Sequence, residues 1–312
     1  MSDSKIVVVG SSNTDMIIQV DKIPVPGETV LGGKFSTAAG GKGANQAVAA
    51  ARAGGDVTFI AAIGQDSLGC QALEGFVRDG INTEYIKRVE AVASGVALIF
   101  VGKDGENSIA VASGANAELD PDFIDRSKSI ISEAKILLMQ LETPIETVTK
   151  AARLAHEAGV KVMLNPAPAQ PLSGELLQQV SIITPNEIEA ELLTNVKVED
   201  ESSAGKAAEV LLAKGIEYVL ITLGPRGVFL ASQETKKLVP GFTVNAVDTT
   251  AAGDVFNGAL AAGLAEEKSM DEAIIFANAA AALSVTKLGA QPSAHRREEI
   301  DSFLAKQVPL LV

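Results

Sequence analysis

Residues 135–164 read KILLMQLETPIETVTKAARLAHEAGVKVML. Within them, 136–141 is a strand, 145–158 a helix and 160–164 a second strand. That order places the two strands parallel, because the helix carries the chain back across the sheet. The alternation continues outward. Downstream, a helix at 176–180 leads to a strand at 182–184, and a helix at 202–214 leads to a strand at 218–223. Two alanine-rich helices follow at 253–266 and 270–288. Upstream lie a β-branched strand at 6–9, a helix at 44–52, a buried strand at 57–63, and helices at 66–79 and 123–133. Strands alternating with helices of about 10–15 residues specify a mostly parallel sheet covered on both faces. The expected architecture is therefore one three-layer α/β/α domain over residues 1–312.

Short extended pieces at 16–20, 29–31, 34–36, 95–101 and 107–112 do not fit that scheme. The last two flank Gly102-Lys103-Asp104-Gly105, a hairpin turn. They are grouped as a small β-sheet lid formed by about 14–38 and 95–113.

Composition narrows the function. Lys and Arg total 26 against 39 Asp and Glu, a net charge of −13. This balance argues against a nucleic-acid or anionic-membrane partner, which demands a basic face. No apolar run reaches the ~18 residues of a spanning helix, and MSDSKIVVVG lacks the pattern of a signal peptide. One cysteine, Cys70, and two histidines argue against an internal disulfide and a His/Cys zinc site. A soluble cytoplasmic protein is the expectation.

Four constellations carry chemistry. Gly40-Gly41-Lys42-Gly43-Ala44-Asn45 matches neither phosphate-loop nor dinucleotide pattern, because Ser36, Gly43 and Gln46 occupy the wrong places. It is either a tight strand-to-helix turn or a backbone that a ligand approaches closely, with Lys42 and Asn45 offering hydrogen bonds. Asp248-Thr249-Thr250-Ala251-Ala252-Gly253-Asp254 precedes a helix, so the amides of Ala251, Ala252 and Gly253 form an anion site. Asp254 is then a helix cap or a base that takes a proton from an attacking hydroxyl. Asn186 and Glu189 either complete a capping box or hold a hydrated magnesium ion. Thr222-Leu223-Gly224-Pro225-Arg226-Gly227 follows an apolar strand, as a hairpin turn or at the sheet edge where α/β proteins bind ligands. Asn13, Asp15 and Glu142 also end strands.

Together these stretches resemble the ribokinase-like (PfkB) sugar kinases, through the glycine-rich segment and DTTAAGDVFNG at 248–258. The likeness extends to the family's ribose-phosphorylating members through GSSNTD at 10–15, NPAPA at 165–169 and GAQPS at 289–293, and it spans essentially the whole chain. The resemblance implies a ribokinase-like fold with a β lid, and ATP-dependent phosphorylation of D-ribose at O5. It places Asn13, Asp15, Gly41, Lys42, Gly43, Asn45 and Glu142 around the sugar. It makes Asp254 the base and Ala251, Ala252 and Gly253 the anion hole. Asn186, the turn from Thr222 to Gly227, Gly253 and Asn278 match nucleotide-binding positions, although relatives often carry His in place of Asn278. The resemblance also implies Mg²⁺, held through water by Glu189, and K⁺ held by Asp248, Thr250, Ser284, Lys287, Gly289 and Ser293. Ala294-His295-Arg296 departs from the Pro-containing sequence expected after Ser293. A homodimer through the lid is the expected assembly. The alternatives are a kinase for deoxyribose, fructose or adenosine, or a non-catalytic sugar sensor. Low aromatic content, 4% with no Trp, argues against the base slot of a nucleoside kinase.

Overall fold

The computed structural model describes residues 5–307; residues 1–4 and 308–312 of the expected single domain lie outside the described residues. The chain opens with β1 (Lys5–Val9), β2 (Asn13–Gln19), β3 (Lys34–Gly40), α1 (Lys42–Arg52), β4 (Asp56–Gly64), α2 (Ser67–Arg78) and β5 (Ile86–Val89). Next come β6 (Gly95–Val101) and β7 (Asn107–Ala112), then two short helices, α3 (Pro121–Arg126) and α4 (Lys128–Ser132). Alternation resumes with β8 (Ile136–Met139), α5 (Ile145–Glu157), β9 (Lys161–Leu164), α6 (Gly174–Leu177) and β10 (Ile182–Ile183). It continues through α7 (Glu187–Thr194), α8 (Glu201–Leu212) and β11 (Tyr218–Thr222). The described chain closes with β12 (Val228–Ala231), β13 (Lys236–Val239), α9 (Ala252–Ala265), α10 (Met270–Ser284) and α11 (Arg297–Gln307).

Nine strands form one sheet in the order β13-β12-β11-β10-β9-β8-β1-β4-β5. The seven from β11 to β5 pair in parallel, and β12 and β13 add an antiparallel edge. β1 shows why two helical layers are required. Its side chains alternate, Ile6 and Val8 into one core and Val7 and Val9 into the other, and all are buried. α1, α9 and α10 cover the first face; α5 and α8 cover the second. α1 and α9 pack closely because Gly258 has no side chain: a Cβ there would lie 2.7 Å from the Ala49 Cβ. A second sheet, β3-β2-β6-β7, contains four strands and holds the extended pieces assigned to the lid. Its β6–β7 pair is the expected hairpin, closed by Gly102 N–H donating to Glu106 O at 2.8 Å.

Some readings need correction. Residues 29–31 form no strand, because Gly32 and Gly33 turn the chain with φ of 95° and 108°. The helix expected at 123–133 breaks at Ser127, whose hydroxyl donates to Phe123 O and competes with the helix ladder. α10 ends at Ser284 rather than 288, where Val285 O accepts the Val247 and Asp248 N–H groups. β5, β12, β13 and α11 were not anticipated. The strands are four residues each, too short for hydrophobic periodicity to declare itself, and α11 buries only Ile300, so it carries no apolar stripe to read.

Candidate active site

The site gathers at the carboxyl ends of β1, β8, β9 and β10, beneath the lid sheet. Asp254 lies in the first turn of α9 and is 6% exposed. Ala251 caps this helix in the left-handed conformation, φ 58°, and supplies no side-chain acceptor. Of the three amides expected to form the anion hole, Ala252 N–H is taken, donating back to Thr249 O at 3.2 Å; beyond it, the Gly253 and Asp254 N–H groups have no acceptor among the described residues. Those two donors and the positive end of the helix dipole make an anion site. A Cβ on Gly253 would meet nothing within 4 Å, so the space before the helix is open.

α1 supplies the other wall. Gly41 begins it with φ 88°, a conformation that favours glycine, and a Cβ there would come within 2.6 Å of Asn13 N. No side chain of Gly41 caps the helix. Instead Glu142, arriving after β8, accepts from the Lys42 N–H at 2.9 Å and from the Ser11 hydroxyl at 2.5 Å. One turn on, Asn45 Nδ2 donates to Asp254 Oδ2 and Gln46 Nε2 to Asp254 Oδ1, both at 2.9 Å. On β2, Asn13 Oδ1 accepts from buried Asn116 at 2.8 Å. Asp15 fills the space that a Cβ on Gly40 would take. Asn13, Asn116, Glu142 and Thr143 are the polar residues lining a cleft of about 440 Å³ beside the lid, whose other walls include Val111, Leu141 and Ile145.

Four carboxyls and one ammonium set the field. Burial pushes Asp15 up from 3.8 to about 6, helped by Glu142 and Asp254. Burial also raises Asp254, against the opposing pull of Lys42 and the amides of Asn45 and Gln46. Glu189 is raised chiefly by burial. Burial works to lower Lys42, but Asp254, Glu142 and Glu189 outweigh it and hold its ammonium above the ordinary value.

Gly253 also lines a second cleft, of about 380 Å³, beyond the start of α9. Thr222, Gly224, Pro225, Gly227 and Asn278 lie along it, while Leu223 is buried at 2% exposure beneath the turn. Arg226 turns away to Glu187, and Asn186 bridges to Thr222 while its side chain and Glu189 form a complete capping box on α7. Behind the helix start, Asp248 accepts from Thr250 N–H at 2.9 Å and Gly289 N–H at 2.8 Å, and these bonds hold its carboxyl below the usual range despite burial. The segments 248–250 and 284–293 are thereby joined. The Ser284 and Ser293 hydroxyls donate to Ala281 O and Ala290 O, and Lys287 Nζ lies 3.8 Å from Glu299.

A mononucleotide-sized cleft lined by Gly253, a buried carboxylate at the next residue and a cavity beside a β lid form the frame of a phosphotransferase. The model of the pfkB family carbohydrate kinases matches residues 3–297. The chain belongs to that family. It is 54% identical to the ribokinase of Haemophilus influenzae over 297 residues, 95% of this chain and 97% of that one. The deoxyribokinase of Salmonella typhi is 36% identical, over 96% of this chain and 98% of its own. Among solved structures, the Arabidopsis thaliana ribokinase complexed with ribose and ATP aligns with a TM-score of 0.91 at 34% identity, covering 96% of this chain and 98% of that one. The nine-stranded sheet and lid are thus the ribokinase-like fold.

Two groups of residues around the site were given no role by the sequence analysis, although Gln46, Asn165 and Thr184 fall inside stretches singled out there. Phe242, Val244 and Val285 line the larger apolar wall of the nucleotide-sized cleft. They lie in loops or at a helix end, where no periodicity marks them. Gln46, Gln140, Asn165 and Thr184 form a buried polar layer under Asp254. A signal for the last three existed: each is the first polar residue after an apolar parallel strand, at the edge where α/β sheets bind ligands.

Proposed function

We propose that this chain is a cytoplasmic ribokinase that transfers the γ-phosphate of ATP to the 5-hydroxyl of D-ribose. One observation carries the mechanism: buried Asp254 follows Gly253, which lines the nucleotide-sized cleft, and is hydrogen-bonded to Asn45 of the expected sugar site. The sugar sits against Asn13, Asp15, Gly41, Lys42, Gly43, Asn45 and Glu142, and the nucleotide lies along the turn from Thr222 to Gly227 and against Asn186 and Asn278. Asp254 accepts the hydroxyl proton as oxygen attacks phosphorus. The Gly253 and Asp254 amides receive the charge that develops on the transferred group, in the loop begun by Ala251 and Ala252. Lys42 favours the ionised state of Asp254.

Magnesium on the ATP phosphates supplies charge neutralisation, and Glu189 would hold it through water, since half of its carboxylate already caps α7. Asp248 with oxygens of Thr250, Ser284, Lys287, Gly289 and Ser293 would hold potassium. The donor set fits a hard monovalent ion, one carboxylate with several carbonyl and hydroxyl oxygens; of Lys287 only the carbonyl qualifies. A second copy of the chain docks on the lid to complete a homodimer.

An ADP-release assay across ribose, deoxyribose, fructose and adenosine tests the substrate, with ribose expected to be turned over best. Asp254→Asn is expected to lower kcat by about 10²–10⁴-fold while ribose still binds. A variant retaining more than about a tenth of kcat removes Asp254 from the role of base.

A further inference from the structure

Gln46 is fully buried, and every polar atom of its amide is spoken for. Nε2 donates to Asp254 Oδ1 at 2.9 Å and to Asn165 Oδ1 at 3.1 Å, and Oε1 accepts from Gln140 Nε2 at 2.6 Å. An ionised carboxylate only accepts, so Asp254 dictates the polarity of the whole chain of amides. Gln46 must turn its nitrogen toward Asp254, and its oxygen then faces Gln140. Gln140 must answer with its own nitrogen. Its remaining Oε1 is left buried and without a partner, against Gly10, where a Cβ would collide with it. An orphaned buried acceptor is costly, because it has given up its hydrogen bonds to water and gained none in exchange. This network retains that cost at its far end and keeps the donor on Asp254.

We propose that Gln46 is a positioning residue for the base. It occupies Asp254 Oδ1 and leaves Oδ2, the oxygen shared with Asn45 at the sugar site, to take the proton. As the hydroxyl O–H bond breaks, an Oδ2–H bond forms, and the oxygen's electron pair closes on phosphorus as ADP departs. Asn165, fixed by donating to Thr184 O at 3.1 Å, holds the Gln46 amide from its other side. The inference rests on Asp254 being the base.

The test reads the acid limb of kcat at saturating ribose and ATP. The charged groups facing Asp254 are Lys42 on α1, Asp15 on β2, Glu142 after β8 and Glu189 on α7. All four are retained in Gln46→Met, which keeps volume and loses the donors. Losing a donor favours the protonated carboxyl, so the limb is expected to move up by about one pH unit. kcat at neutral pH is expected to fall about tenfold or more, with KM for ribose within about threefold of wild type. Gln46→Glu, which adds a charge, moves the limb further in the same direction. An acid limb that stays in place in Gln46→Met overturns the proposal. If circular dichroism shows Gln46→Met unfolded, Gln140→Met takes its place: a smaller upward move supports the proposal and no move overturns it. Failure of the parent reading looks different, because Asp254→Asn would then remain active.

Discussion

Asp15 shares its pocket with Glu142 and Asp254, and its carboxyl is raised to about 6 by burial and by those two charges. A proton and a sugar hydroxyl compete for the same oxygens. Ribose affinity is therefore full above the raised value and falls as pH drops through about 6, by up to about tenfold per pH unit. Calorimetric Kd values at about pH 7.5 and about pH 5 check this, and equal affinities would remove Asp15 from the sugar contacts. In Asp254→Asn one of the raising charges is gone, so the fall in affinity is expected to begin at lower pH. Under the proposed function the same residue would set selectivity: a carboxylate that accepts from two hydroxyls rejects an epimer that satisfies only one.

At the scale of elements, α1 ties the two ends of the site together. Its first turn holds Glu142, Asn45 and Gln46, and its last residue, Arg52, reaches the C-terminal loop. The Arg52 guanidinium grips Asp79 with bonds of 2.8 and 2.9 Å and donates to Gln291 O at 2.6 Å and Ala294 O at 3.0 Å. His295, whose pKa is lowered by burial and by Lys287, packs back on Ser293 O at 3.0 Å. This loop and Asp248 frame the proposed potassium site behind α9. A cation there would order the loop that aims the Gly253 and Asp254 amides, a preorganisation effect. Turnover is expected to depend on potassium and to respond poorly to sodium. Matched-ionic-strength assays in potassium, sodium and a large organic cation check it; equal rates in all three would sink the specific site.

At the scale of the molecule, the lid is the part that does not bury itself. Phe35 is 63% exposed, Ile109 56% and Val111 54%, and β3 and β7 are its unpaired edges. Proteins cover or pair such edges, and in the proposed homodimer a second copy of this sheet would do both. Light scattering is expected to give a dimer at tens of micromolar, and Phe35→Glu to shift it toward monomer. A wild-type monomer with full activity at that concentration would contradict the assembly.

The layered core was legible because its physics is local. Apolar strands such as 6–9 and 57–63, separated by helices with caps such as Asp66 and Asp120, can be buried only between two helical layers. The side-chain-poor helix start behind the proposed anion site was legible for the same reason, since such a start exposes amides wherever it is placed. Asn186 and Glu189 show the boundary. Their capping box is written in four consecutive residues, whereas their place beside Thr222 depends on a strand more than thirty positions away. Gln46 lies beyond that boundary. In the sequence it is one polar residue in an alanine-rich helix, and nothing within a helical turn distinguishes it from a solvent-facing one. Only the crossing of α1 over α9, with Gln140 and Asn165 brought in from β8 and β9, puts its amide against Asp254. Local chemistry determines which elements form and which ends bind anions. Long-range packing alone decides which buried dipoles meet a charge.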